Sequence, residues 1–175
     1  LYKCLGVEAT RAKTTADLTG ASKIILPGVG AFDHSIELLN KSGMRQILEP
    51  LVLKDKVPVL GICVGMQLLF DSSEESKDEK GIGLLSGKIQ KFKFEKDKNF
   101  PLPHVGFSKV FHSNSKIWKD IPNKSYFYFI HSFRLKNTSN IINIATSIYG
   151  EEFMSFIEKD NFFGTQFHPE KSHKV

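Results

Sequence analysis

Gly61-Ile-Cys63-Val-Gly65 lies between an apolar run and a stretch of helical character, the frame of the Gly-x-Ser-x-Gly nucleophile elbow with sulfur in place of oxygen. A sharp strand-to-helix turn presents the nucleophile and leaves no room for side chains beside it, which is what the two glycines supply. A helix N-terminus next to the sulfur is expected to lower the thiol pKa from about 8.5 toward roughly 3.5–7.5. The competing reading of the pentapeptide is a buried cysteine at a tight turn. Cys4 has no such frame and reads as packing on an opening helix.

A nucleophilic cysteine needs a base, and the base needs an orienter. Of the six histidines, only His168 has a carboxylate two residues away, in His168-Pro-Glu170. Residues i and i+2 of an extended chain share a face, so Glu170 can hold one ring nitrogen while the other faces Cys63. Pro169 favours extension of His168 and suits a strand end. An exposed turn is the alternative for these three residues taken alone.

Pro27-Gly-Val-Gly30 follows a short β-branched run, where glycine-rich backbone can offer N–H groups to an oxyanion. Asp33 stands where a dinucleotide fingerprint would place its third glycine, and neither Cys-x-x-Cys nor His-Glu-x-x-His occurs, so no cofactor or metal is expected.

The elements that must position these groups follow from the same chain. Strands are expected at Lys23–Pro27 and Val57–Ile62, joined through one or two helices carrying Ile36 to Val52 and interrupted near Ser42-Gly43 and Pro50. That is a parallel crossover unit. Met66–Phe70 is expected to continue as helix, and the acidic stretch 71–81 to lie outside the core. Shorter alternating runs at Lys88–Phe94, Ser125–Ile130, Ile141–Ile148, Phe153–Glu158 and Phe162–Phe167 predict antiparallel sheet added to the parallel core.

With 175 residues, 41% hydrophobic and 25% charged, the chain fits one soluble α/β domain. Two cysteines exclude a disulfide scaffold, and no run is apolar enough for a membrane span, which makes a reducing cytoplasm the expectation. The net charge of +5 does not gather on one face. Lys88, Lys91, Lys93, Lys96 and Lys98 alternate with Phe92 and Phe94 as the solvated side of a strand, so neither nucleic acid nor membrane is expected as a partner.

Pro-Gly-Val-Gly-Ala-Phe from Pro27, Gly-Ile-Cys-Val-Gly-Met-Gln from Gly61 and Gly-Thr-Gln-Phe-His-Pro-Glu-Lys-Ser-His from Gly164, in that order, resemble the class I (triad) glutamine amidotransferases. The resemblance is closest to the branch formed by glutaminase subunits of imidazole glycerol phosphate synthases. It spans Leu1 to Val175 as a single domain and implies a flavodoxin-like mixed sheet with flanking helices and an added antiparallel portion. The family's first strand and last element would lie outside it.

The resemblance further implies L-glutamine as substrate, Cys63 as nucleophile, His168 as base and then acid, and Glu170 as orienter. Gly28, Val29 and Gly30 match the oxyanion strand, with Val64 as second amide donor. Gln67 and Glu75 match groups that hold the amino-acid end of the substrate. His131-Ser132-Phe133 matches a segment whose backbone engages its carboxylate. Ammonia would pass to a (β/α)8-barrel cyclase in a heterodimer, near His104-Val-Gly-Phe-Ser108, where the family usually reads His-Met-Gly-Trp-Asn. Nucleotide-sugar amidation, a non-catalytic docking module and a cysteine peptidase are the alternatives.

Overall fold

The computed structural model describes residues 5–94, 100–113, 115–138, 141 and 143–172; Cys4, Lys96, Lys98 and His173 lie outside them. Among the described residues no α-helix precedes Phe32, and a 3-10 turn at Thr15–Leu18 is braced by Thr14 and Asp17; the opening helix expected around Cys4 falls outside the described residues.

β1 (Ile24–Gly28) and β2 (Val59–Cys63) pair in parallel, with Ile24 opposite Val59 and Gly28 opposite Cys63. β1 lies at the end of the sheet path, the position at which Pro27 is tolerated without a ladder donor. Between the two strands run α1 (Phe32–Lys41) and α2 (Met44–Leu53). The break falls at Gly43, whose φ of 72° suits glycine, whereas Pro50 sits inside α2 without ending it.

α3 (Val64–Leu68) follows β2 directly. The helix expected to reach Phe70 stops at Leu68, and β3 (Phe70–Ser73) begins the acidic stretch as a strand. Its cause is local capture by the chain that follows: Ile82 N donates to Leu68 O, and Leu85 N to Leu69 O. β3 pairs in parallel with β4 (Leu85–Lys91).

Antiparallel strands complete the molecule. β5 (His104–Lys109) and β7 (Tyr126–His131) form a two-stranded sheet, while β6 (Phe111–His112) pairs with β9 (Asn143–Tyr149). β8 (Phe133–Leu135) bridges β4 to β10 (Glu151–Lys159), and β10 also pairs with β9 and with β11 (Phe162–Thr165). β11 then returns parallel to β2, with Thr165 opposite Ile62. The fold is a mixed α/β sheet of few helices whose C-terminal strand is inserted beside the strand carrying Cys63.

Two apolar cores support it. Ile24, Phe32, Ile36, Leu48, Val52, Val59 and Met66 pack around the parallel strands. Phe92, Trp118, Phe127, Phe129, Phe153, Phe156 and Phe167 form an aromatic second core. Phe92 is therefore buried as expected, and Lys88 and Lys93 lie 3.9 Å from Glu74 as a solvated ion cluster.

Candidate active site

The elbow is built by backbone approaching backbone. A Cβ on Gly61 would stand 2.6 Å from the Met66 nitrogen, and one on Gly65 would overlap the Leu26 carbonyl. One on Gly28 would overlap the Gly65 nitrogen, so β1, β2 and the start of α3 touch with no side chain between them. Cys63, held between those glycines, adopts φ 54° and ψ −114° at the N-cap of α3. That is a strained conformation for a residue with a Cβ, of the kind that marks functional turns.

Cys63 is buried, and burial dominates its acidity: the thiol is pushed up to about 11. The expected lowering by a helix N-terminus is therefore overturned. The Val64 amide and the Gln166 side chain both hydrogen-bond toward the sulfur and pull its pKa down, as does Lys171, but Glu170 adds to the rise and α3 has only five residues. At neutral pH the resting sulfur is a thiol, and only a base that takes its proton would make it a nucleophile.

His168 lies just past β11, on the neighbour of the strand that carries Cys63. Its amide donates to Tyr128 O at 2.9 Å. Ser172 Oγ donates to His168 O at 2.6 Å and accepts from Tyr128 N at 3.0 Å, so β7 fixes the histidine's backbone from the other side. Nδ1 donates to Glu170 Oε1 at 2.7 Å. Nε2 is buried and has no hydrogen-bond partner among the described residues. With Nδ1–H donating to the carboxylate, the neutral ring has its lone pair on Nε2, which is the tautomer a base requires.

Pro27 and Gly28 end β1, and the peptides that follow form an exposed loop: Val29 is 75% exposed and Gly30 has φ 104°. Glu75 does not lie in a solvated loop. It is half-buried and its Oε2 accepts from Phe32 N at 3.0 Å, capping α1 immediately after that glycine loop. Burial raises its pKa against the opposing pull of the Phe32 amide.

Gln67 is buried, with Nε2 donating to Phe133 O at 3.2 Å and to Gln166 Oε1 at 2.9 Å. Ser132, between β7 and β8, gives its carbonyl to Phe92 N at 3.2 Å. The sequence reading passed over Gln166, whose Nε2 donates to Cys63 Sγ at 3.7 Å. The signal was available: Gln166 and His168 are two apart, the same spacing that coupled His168 to Glu170. Among the described residues no cluster of His, Cys, Asp or Glu is grouped to hold a metal.

Beside the site, β5 and β7 turn one face inward and one outward. Val105 pairs with Ile130, Phe107 with Tyr128 and Lys109 with Tyr126. Val105, Phe107, Tyr126 and Ile130 are all exposed, and the Tyr128 ring reaches His168 at 6.5 Å between centroids.

A family model described as glutamine amidotransferase class-I matches residues 4–175. The chain belongs to that family. Among class-I glutamine amidotransferases, "imidazole glycerol phosphate synthase subunit HisH" of Bdellovibrio bacteriovorus is 46% identical over 180 residues, covering 99% of this chain and 85% of that protein. The HisH subunit of Methanocaldococcus jannaschii is 45% identical, covering 91% and 78%. A solved glutamine amidotransferase superposes with TM-score 0.77 at 17% identity over 99% of this chain and 84% of that one. The glutaminase domain of Trypanosoma brucei CTPS, solved with acivicin, gives TM-score 0.60 at 18% identity, covering 89% and 66%. These last two show the shared fold. The chain is an α/β glutamine amidotransferase.

Proposed function

We propose that this amidotransferase is the glutaminase subunit of an imidazole glycerol phosphate synthase, hydrolysing L-glutamine through Cys63, His168 and Glu170. The observation that carries the reading is the buried Nε2 of His168, without a hydrogen-bond partner among the described residues and with Nδ1 tied to Glu170, just past the strand next to that of Cys63. The names of the relatives at 37–46% identity favour the same pathway.

Cys63 Sγ attacks the side-chain amide carbon as its proton passes to His168 Nε2. The Val64 amide and the 28–30 backbone receive the developing oxyanion. His168 returns the proton to the leaving nitrogen, the C–N bond breaks, and ammonia departs from a thioester. Water then gives a proton to His168 and its oxygen to the thioester carbon, and glutamate leaves as the sulfur is reprotonated.

Gln67 spends its nitrogen inside the protein, so its oxygen is what remains for the substrate ammonium, together with Glu75; the Ser132 and Phe133 backbone takes the carboxylate. The outer face of β5 and β7 docks a (β/α)8-barrel cyclase, which receives the ammonia in the cytoplasm. Among the described residues no helix is long and apolar enough to cross a membrane.

Glutamate release by the chain alone, with a cyclase, and with cyclase plus its nucleotide tests this. Release that needs Cys63 and rises with the loaded cyclase is expected. Hydrolysis untouched in Cys63→Ala would end the assignment, and stimulation only by a sugar-amidating partner would move it to another pathway.

A further inference from the structure

A continuous polar chain runs from β5 to the sulfur of Cys63. Ser108 Oγ lies 2.9 Å from His104 Nε2, His104 Nδ1 lies 3.3 Å from His131 Nε2, and His131 Nδ1 lies 2.7 Å from Phe133 O. Phe133 O also meets Gln67 Nε2, Gln67 Nε2 meets Gln166 Oε1, and Gln166 Nε2 meets Cys63 Sγ at 3.7 Å.

The polarity of every link follows from one atom and from the neutrality that burial imposes on the two imidazoles. A peptide carbonyl only accepts, so both groups facing Phe133 O must donate. On one side His131 carries its proton on Nδ1, its Nε2 accepts from His104 Nδ1, and His104 Nε2 accepts from the Ser108 hydroxyl. Both imidazoles are then neutral. On the other side Gln67 must turn its nitrogen inward, and the same nitrogen fixes Gln166 Oε1 as acceptor. Gln166 can then meet the sulfur only with an N–H.

We propose that Gln166 is a thiolate-stabilising donor to Cys63, and that Gln67 is a positioning residue that sets the polarity of its amide. The proposal rests on Cys63 being the nucleophile only for its consequence in catalysis; the hydrogen bond acts on the sulfur whatever the reaction. It gives a buried thiol a donor that strengthens as negative charge develops on sulfur, a charge-assisted hydrogen bond. The other charged or titratable groups acting on this sulfur are Glu170, which disfavours the thiolate, and Lys171, which favours it, while the Val64 amide donates from the helix side; His168, just past the strand beside that of Cys63, acts electrostatically on His131.

The test is the pH profile of Cys63 alkylation by iodoacetamide after brief pH jumps, followed until the rate levels off, with Cys63→Ala as blank. Gln166→Met keeps the side-chain bulk and removes the donor. Its midpoint should rise by about one unit, slowing alkylation about tenfold at pH values below it, with the plateau unchanged. Gln67→Met should shift the midpoint less in the same direction, and the double variant no further than Gln166→Met.

Glu170→Gln should shift it the other way. If Gln166→Met does not fold, Gln166→Glu, of nearly identical shape, replaces the donating nitrogen by oxygen and should raise the midpoint. A midpoint equal to wild type in whichever Gln166 variant folds, or a change in plateau alone, would show that Gln166 only fills space. Full additivity of the Gln67 and Gln166 effects would overturn the set polarity. Loss of glutaminase activity is a separate readout: normal glutamine hydrolysis in Cys63→Ala would remove the nucleophile assignment while leaving the titration result standing.

Discussion

The two halves of the site are positioned by opposite means. On the parallel side, Gly28, Gly61 and Gly65 remove side chains so that β1, β2 and α3 meet backbone to backbone. On the antiparallel side, position comes from bulk: His104 stacks on Phe129 and Tyr149 at 5.0 and 4.0 Å between centroids, and Phe153 meets both Phe129 and His131 edge-on. Close backbone contact fixes an atom with little slack, since any added methyl collides with main chain. Aromatic packing can give by small ring shifts and can bury neutral imidazoles. Cys63 sits on the first kind of scaffold, and the hydrogen-bonded chain that reaches its sulfur ends on the second.

The strongest way to break that contrast is at the reacting atoms. Cys63→Ala should abolish glutamine hydrolysis, with thermal stability and partner binding retained, because a single sulfur is lost from a site held by its neighbours. His168→Ala should come close behind, and Glu170→Gln should be the mildest, since a glutamine oxygen still accepts from Nδ1. Equal losses in the two triad partners would mean that base and orienter are wrongly divided.

Gly65→Ala and Gly30→Ala separate the scaffold from a gate, which we place in the 28–30 loop: a peptide there would turn its N–H into the oxyanion site only when the partner binds, a turn that glycine permits. The first places a methyl into the Leu26 carbonyl and should lower the melting temperature steeply. The second meets nothing within 4 Å but must hold φ 104°, so the chain folds while the loop resists that conformation. We expect slow hydrolysis by the isolated chain, strong stimulation by cyclase with nucleotide, and loss mainly of the stimulated part in Gly30→Ala. One oxyanion donor is worth about 100- to 1,000-fold in rate. Full-rate hydrolysis by the isolated chain would remove the gate altogether.

The antiparallel side should reveal itself in acid. Burial drives the pKa of His104 down to about 4 and of His131 to about 3, from an ordinary 6.5. Between those limits the unfolded chain binds protons that the folded one refuses. Stability is therefore complete above about pH 6.5 and lost as pH falls toward 4. The carboxylates of Glu37 and Glu151, held below the ordinary 4.5, add to the loss only at lower pH, while Glu75 works in the opposite sense. Melting temperatures that stay flat from pH 6.5 down to 4.5 would place these histidines in contact with water.

The same contrast governs what the sequence disclosed. Cys63, His168, Glu170 and the glycine loop were legible because each is a local pattern: glycines flanking a nucleophile, or a carboxylate two residues from a histidine. β5, β6 and β8 were not, because Gly106 in β5 has φ 137° and β6 and β8 are two and three residues long, too short for alternation to show. Cys63 acidity was misread because a helix start is visible in sequence, whereas burial of the sulfur by strands distant in the chain is not. The polar chain from Ser108 to Gln166 joins four separate segments, and no spacing rule reaches across them.

The smallest expected effect tests whether Glu75 belongs to the scaffold or to the substrate. Its Oε2 accepts the Phe32 amide at the start of α1, and no side chain nearer in sequence caps that helix. Glu75→Gln keeps an oxygen for that amide and removes only the charge. If the carboxylate also holds the substrate ammonium, KM for glutamine should rise several-fold with kcat little changed, because the lost attraction is common to ground and transition states, and the melting temperature should stay put. Glu75→Ala removes the acceptor too and should cost about 0.5–2 kcal/mol of stability, as lost helix caps do. An unchanged KM in Glu75→Gln beside a lowered melting temperature in Glu75→Ala would make Glu75 a long-range cap for the helix behind the glycine loop, and leave the ammonium to the oxygen of Gln67.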